Sequence, residues 1–169
     1  KNEGVSRSEM LLSNAQGVAS KALEKSQELI GGAMKVLGIH YRYGGRSPET
    51  GFDCSGMVGY VFKQALGMVL PSNAYAMSIA GQKIGTEELL PGDLVFYNTM
   101  RRPFSHVGIY IGNNKFVHAP SSGGGVHVAD MGDHYWRPRF NGARRFLPLR
   151  SLLPSGFAAS AAEAAATPR

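Results

Sequence analysis

The stretch that decides the fold is Gly51-Phe52-Asp53-Cys54-Ser55-Gly56, because a new hydrophobic period begins directly after it. Apolar residues then recur at helical spacing on one face: Val58, Val61, Phe62, Ala65 and Leu66. This pattern predicts a helix from Cys54 to Leu66, which Gly67 can end. Cys54 therefore lies in the first turn of the predicted helix.

A cysteine in the first turn of a helix is well placed for nucleophilic chemistry. The unpaired N–H groups and the helix dipole favour negative charge there, so we expect a lowered thiol pKa for Cys54. The same N–H groups can face the oxyanion that forms when a thiolate attacks a carbonyl. An inert packing cysteine is the competing interpretation, and position alone leaves both open. Cys54 is the only cysteine, which excludes an intramolecular disulfide and argues against structural zinc.

A catalytic thiol needs a base, and the base needs an orienting partner. His106 begins one predicted strand and His118 ends the next, with a turn at residues 112–114 between them. A three-residue loop would pair Ile111 with Lys115 and place both histidines on one face, about 7–8 Å apart. A two-residue loop would place them on opposite faces. The three-residue loop is physically reasonable, because its last residue, an asparagine, tolerates a left-handed conformation, and this loop makes a His106–His118 pair possible.

The other three histidines, His40, His127 and His134, show no such geometry, and we interpret them as surface residues. No histidine pair has the i, i+4 helical spacing typical of zinc ligands. We therefore expect neither a metal nor another cofactor.

The rest of the chain predicts helices first and strands afterwards. Helices are predicted from Ser13 to Leu37, where Gly31-Gly32 could interrupt the run, and from Ala74 to Ala80. Strands are predicted at residues 94–97, 106–111 and 115–119, with weaker candidates at 126–129 and 143–147. The order predicts an α+β fold with N-terminal helices packed on a central antiparallel sheet. We expect a mobile arm over residues 1–12, a domain over 13–148 and an Ala-rich tail over 149–169.

Composition excludes several classes of protein. The 169 residues carry a formal charge of +6 with a sequence pI near 9.6, a balance that favours polyanions or wall carboxylates. The arginines are scattered among apolar residues without a nucleic-acid motif, so we expect no nucleic-acid partner. No apolar run approaches the roughly 18 residues that span a bilayer. The chain has neither an initial methionine nor a leader, which fits either a trimmed cytosolic protein or one whose export signal has been removed.

Five blocks of this sequence closely resemble the NlpC/P60 family of cysteine peptidases, in the family's order and over roughly residues 25–148. The blocks are Tyr41-Arg42-Tyr43-Gly44-Gly45, Gly51-Phe52-Asp53-Cys54-Ser55-Gly56, Leu89-Leu90-Pro91-Gly92-Asp93-Leu94-Val95-Phe96, Ser105-His106-Val107-Gly108-Ile109-Tyr110-Ile111-Gly112 and Phe116-Val117-His118-Ala119. A single Asp-Cys-Ser-Gly block could arise by chance, whereas five in order are highly specific.

The resemblance implies a papain-like fold and a triad in which Cys54 attacks, His106 exchanges the proton and His118 orients the imidazole. It implies further that Tyr41 and the backbone N–H of Cys54 stabilise the oxyanion. By the same resemblance, the residues that would contact the substrate are Asp53, Ser55 and Ser105. Family members typically hydrolyse the bond between γ-D-glutamate and a diamino acid in peptidoglycan stem peptides, which implies an extracytoplasmic protein. We expect this protein to be a monomer.

One departure from the family pattern concerns substrate binding. Many members carry an arginine after Leu70-Pro71, where this chain has Ser72-Asn73. Two alternatives stay open beside the endopeptidase. One is a papain-like amidase or acyltransferase on a non-wall substrate, and the other is a non-catalytic wall-binding protein.

Overall fold

The computed structural model describes residues 6–147, so the predicted tail over 149–169 lies outside the described residues. Among the described residues, three α-helices precede a six-stranded antiparallel sheet, which confirms the predicted fold class. The helices are α1 (Arg7–Lys35), α2 (Cys54–Leu66) and α3 (Ala74–Ala80). None of the helices within residues 6–147 is both long and apolar enough to cross a membrane.

The strands form two sheets. A small hairpin pairs β1 (Arg46–Ser47) with β2 (Gly51–Phe52). The large sheet contains β3 (Gln82–Ile84), β4 (Leu94–Tyr97), β5 (His106–Gly112), β6 (Lys115–His118), β7 (His127–Asp130) and β8 (Phe140–Arg145). Their spatial order is β3-β8-β4-β5-β6-β7, and every pair is antiparallel.

Strand β4 is buried on both faces, which explains its uninterrupted apolar sequence. Leu94 and Phe96 face the helices, while Val95 and Tyr97 face an aromatic cluster on the other side of the sheet. The alternation follows from the two-residue period of a strand. The sheet is therefore covered on one side by α1 and α2, and on the other by irregular chain around Trp136.

Helix α1 begins six residues earlier than predicted, inside the stretch for which we expected an arm. Ser6 caps it in a capping box with Glu9, a Ser-x-x-Glu signal that supplies the missing partners of the first N–H groups. The helix also continues through Gly31 and Gly32. A Cβ on Gly32 would lie 3.3 Å from Cγ1 of Val61, so this glycine permits the close packing of α1 on α2.

The β5–β6 turn combines the two alternatives considered for it. Gly112 pairs with Lys115, which leaves a two-residue loop, Asn113 and Asn114, with both φ angles positive. A register shift between Tyr110 and Gly112 inserts one extra residue. Beyond this bulge, Ile109 pairs with Val117, the register that the three-residue loop would have given. Neither loop length alone describes this turn, but both histidines lie on one face, as the three-residue loop predicted.

Candidate active site

The start of α2 is held by side-chain and backbone contacts of Asp53. Its Oδ1 accepts from the N–H of Gly56 at 2.6 Å, and its Oδ2 accepts from the N–H of Gly44 at 3.2 Å. Its own N–H donates to the carbonyl of Gly45 at 3.1 Å. That carbonyl passes so close to Gly56 that a Cβ at residue 56 would collide with it, which accounts for the glycine. Cys54 is thereby fixed as the first residue of the helix.

Burial has the largest effect on the Cys54 thiol. Burial and, to a smaller extent, the nearby Asp53 carboxylate raise the pKa of Cys54 to about 11. Backbone N–H groups of Val107, Ser55 and Cys54 itself lower the same pKa by a smaller amount. Our expectation of a lowered thiol pKa was therefore wrong, because the helix start does act in the predicted direction but desolvation outweighs it.

His106 and His118 form a buried hydrogen-bonded pair. His106 Nε2 lies 2.9 Å from His118 Nδ1, and the two residues are only 3% and 1% exposed. Trp136 stacks on the His106 ring, with centroids 5.6 Å apart, and meets His118 edge-on. The sequence placed the two histidines on one face of the sheet, and the geometry brings their rings into contact.

Burial and, to a smaller extent, neighbouring His127 lower the pKa of His106 to about 4. Burial also lowers the pKa of His118, with smaller effects in the same direction from His106 and His127. Both imidazoles are consequently neutral near pH 7. His106 Nδ1 makes no hydrogen bond to any other residue in the range 6–147, so this nitrogen remains available to a reacting group.

His127 does not behave as the isolated surface residue that the sequence suggested. It lies directly opposite His118 in the β6–β7 pair, and its Nε2 is 3.2 Å from His118 Nε2. Its Nδ1 is 3.0 Å from the carbonyl oxygen of Gly125. His127 is nevertheless exposed, as the sequence predicted. Only the β6–β7 register could have indicated this contact, and the Ser-Ser-Gly-Gly-Gly loop conceals that register in the sequence.

A comparison with protein families matches the NlpC/P60 family over residues 38–145, more than half of the chain. The chain belongs to the NlpC/P60 family. This confirms the family that the five sequence blocks indicated.

Relatives and solved structures agree with this membership. The gamma-DL-glutamyl hydrolase of Bacillus subtilis (strain 168) is 38% identical over 133 residues, which cover 78% of this chain and 32% of the relative. The murein DD-endopeptidase MepS/murein LD-carboxypeptidase of Escherichia coli (strain K12) is 44% identical over 110 residues, covering 65% and 57%. An NLP/P60 family protein from Staphylococcus aureus superposes with a TM-score of 0.67 at 36% identity, covering 73% of this chain and 42% of that one. The chain thus spans between about a third and somewhat over half of these proteins.

A groove in this NlpC/P60 domain brings most of the predicted site residues together. Its lining includes Tyr41, Asp53, Cys54, Ser55 and Ser105. The groove also contains residues 73–75, Met100 and residues 102–104. His106 and His118 are not among its lining residues, and both line a separate cavity together with His127.

The two serines are already engaged by the protein. Ser55 Oγ donates to Asp53 Oδ1 and lies equally close, at 3.3 Å, to the carbonyl of Ser72. Ser105 Oγ accepts from the N–H groups of Thr99 and Met100 at 3.0 and 3.2 Å. Both hydroxyls therefore stabilise the walls of the groove, and their contact with substrate stays a prediction.

Tyr41 and His40 occupy the loop that faces the start of α2. Burial raises the pKa of Tyr41, and the nearby Cys54 and Asp53 raise it further, so its hydroxyl is a neutral donor. His40 Nε2 lies 3.1 Å from the carbonyl of Thr50, within the loop, while His134 is exposed. Across residues 6–147, no group of three or more His, Cys, Asp or Glu side chains is arranged to hold a metal ion.

Proposed function

We propose that this NlpC/P60 domain is a cysteine peptidase that hydrolyses the γ-D-glutamyl–diamino acid bond of peptidoglycan stem peptides. The observation that carries the proposal is the 2.9 Å contact between His106 Nε2 and His118 Nδ1, next to the groove that contains Cys54. In this arrangement Cys54 is the nucleophile, His106 the base and His118 the residue that orients the base. The substrate class is supported by two relatives whose names describe a glutamyl hydrolase and a murein endopeptidase.

Acylation begins with both groups neutral. His106 Nδ1 accepts the thiol proton as Cys54 Sγ bonds to the carbonyl carbon, and the imidazolium and the developing charge stabilise each other. The backbone N–H of Cys54 and the hydroxyl of Tyr41 donate to the oxyanion. The C–N bond then breaks, the leaving amine takes the proton from His106, and a thioester remains on Cys54.

Deacylation returns the site to its starting state. His106 takes a proton from water, and the oxygen of this water bonds to the thioester carbon. The C–S bond breaks and the Cys54 sulfur recovers the proton, so that the products are a free thiol and the glutamate carboxylic acid, which releases its own proton to water. The positive net charge of the chain suits a polymer that carries carboxylates, and peptidoglycan implies an extracytoplasmic site of action.

Mass spectrometry of muropeptides tests the proposal. Wild-type protein with reduced Cys54 should split each stem peptide between glutamate and the diamino acid, with the gain of one water. Cys54→Ala should be slower by about a thousandfold or more. Circular dichroism of this variant checks that it is folded.

Three outcomes would contradict parts of the proposal. Unchanged stem peptides would exclude hydrolysis and favour a binding role. Cleavage only at D,D cross-links would replace the proposed bond. If added amines end up bonded to the glutamyl group while free carboxylate does not form, the domain is a transferase.

A further inference from the structure

Three imidazole rings form a continuous chain that runs from His106 to a backbone carbonyl. His106 Nε2 contacts His118 Nδ1 at 2.9 Å, and His118 Nε2 contacts His127 Nε2 at 3.2 Å. His127 Nδ1 then contacts the Gly125 carbonyl oxygen at 3.0 Å. Every ring nitrogen except His106 Nδ1 has a partner within this chain. The mechanism above uses only the first two rings.

The carbonyl at the far end determines the position of every proton. A carbonyl oxygen can only accept, so neutral His127 carries its hydrogen on Nδ1 and offers a lone pair on Nε2. His118 must then donate from Nε2 and accept at Nδ1. His106 must donate from Nε2, which leaves the lone pair on Nδ1. This is the only tautomer of His106 that can take a proton from a group at Nδ1.

The anchor of this chain is fixed by backbone hydrogen bonds. Val126 exchanges two bonds with residues 38–39: its N–H donates to the Ile39 carbonyl and its carbonyl accepts from Gly38, each at 2.8 Å. A Cβ on Gly125 would lie 2.5 Å from the Gly38 carbonyl oxygen, so only glycine fits here. The Gly125 carbonyl is thus part of the same loop assembly that carries Tyr41, whose N–H donates to Gly124.

We propose that His127 is a positioning residue that fixes the tautomers of His118 and His106 and so keeps His106 Nδ1 unprotonated. The inference rests on the proposed roles of Cys54 and His106 in peptide hydrolysis. His127 itself touches neither the thiol nor the groove, and it acts through His118. The low pKa values of His106 and His118 agree with neutral rings that need a defined tautomer.

Substitutions at residue 127 separate hydrogen bonding from bulk. Leucine fills similar space but cannot accept from His118 Nε2. The Oε1 of glutamine lies three bonds beyond Cβ, as does the histidine Nε2, and restores an acceptor. We expect His127→Leu to lower kcat by about tenfold or more and to change KM by less than about twofold, because a base in the wrong tautomer fails in the chemical step. His127→Gln should recover kcat to within about threefold of wild type, and His134→Leu, at an exposed histidine, is the matched control.

Two-bond ¹H–¹⁵N spectra of protein labelled at histidine read the tautomers without any substrate. Wild type and His127→Gln should show His106 protonated at Nε2 only, and His127→Leu should show a mixture of both tautomers. A single unchanged tautomer in His127→Leu would overturn the inference, as would unchanged kcat or a loss expressed only in KM. If instead wild type hydrolyses no stem peptide but the tautomers shift as expected, the proposed function fails and the positioning role stands.

Discussion

Lowering the pH from 7 to 5 should reduce the free energy of unfolding by about 2 kcal/mol through His106 alone. Burial lowers the pKa of this residue from 6.5 to about 4. Because the folded value is the lower one, the unfolded chain binds the proton first as the pH falls. The contribution to stability is therefore fully present above pH 6.5 and is lost as the pH falls towards 4.

The magnitude follows from the proton-binding equilibria of the two states. With pKa values of 6.5 and about 4, the unfolded state gains over the folded state by a factor of about 30 at pH 5. That factor corresponds to a loss of about 2 kcal/mol in the free energy of unfolding relative to high pH. About 0.2 kcal/mol of this loss has already occurred at pH 7. His118 adds to the loss in the same direction, since burial lowers its pKa as well.

Urea unfolding between pH 5 and 7 measures this effect, with Trp136 fluorescence and circular dichroism as independent probes. His106→Gln should reduce the slope of unfolding free energy against pH by about 1.2 kcal/mol per pH unit near pH 5.3, close to one proton. His134→Gln, at an exposed position, should keep the wild-type slope. Equal slopes for wild type and His106→Gln would refute a buried, neutral His106.

Two further predictions concern other buried groups. Asp93→Ala should lower the free energy of unfolding by about 3–5 kcal/mol, because it leaves the Arg145 guanidinium without its carboxylate partner. Arg145 contacts that carboxylate at 2.8 Å through both Nε and Nη2. A loss below about 1 kcal/mol in urea titrations would contradict this interpretation of the ion pair. Burial raises the pKa of Cys54 to about 11, so the rate of alkylation by iodoacetamide should still be rising between pH 9 and 10; a plateau reached below pH 8 would instead indicate a resting thiolate.

The sequence predicted those elements whose ends carry their own chemical signals. Helix α2 begins and ends where predicted, because Asp53 caps its start and Gly67 adopts φ 64° after its last turn. Strand β4 was predicted with its exact bounds, since turn residues precede a fully buried run. The start of α1 was also readable in principle, as Ser6 and Glu9 have capping-box spacing, but the polar composition of the segment favoured an arm.

The features that sequence reasoning missed depend on contacts between distant segments. His127 becomes a partner of His118 only through the β6–β7 register, and residues 120–126 between the two strands carry no periodic signal. The bulge at the end of β5 is equally invisible, since either loop length suits two asparagines. The raised pKa of Cys54 reflects desolvation of the thiol at the start of α2. The spacing of apolar residues in a sequence gives no measure of that desolvation.

The high pKa of Cys54 and the N–H groups around it have a common consequence for the proposed mechanism. Desolvation disfavours a thiolate in the free enzyme. The N–H groups of Cys54, Ser55 and Val107 therefore face a neutral sulfur, not a negative charge, before substrate binds. During attack, negative charge moves from sulfur to the substrate carbonyl oxygen, and donors fixed at the start of α2 meet it without reorganising. Interactions that are stronger in the transition state than in the resting state accelerate the chemical step. A half-buried, neutral thiol at a helix start therefore directs the stabilisation towards the oxyanion instead of the free enzyme.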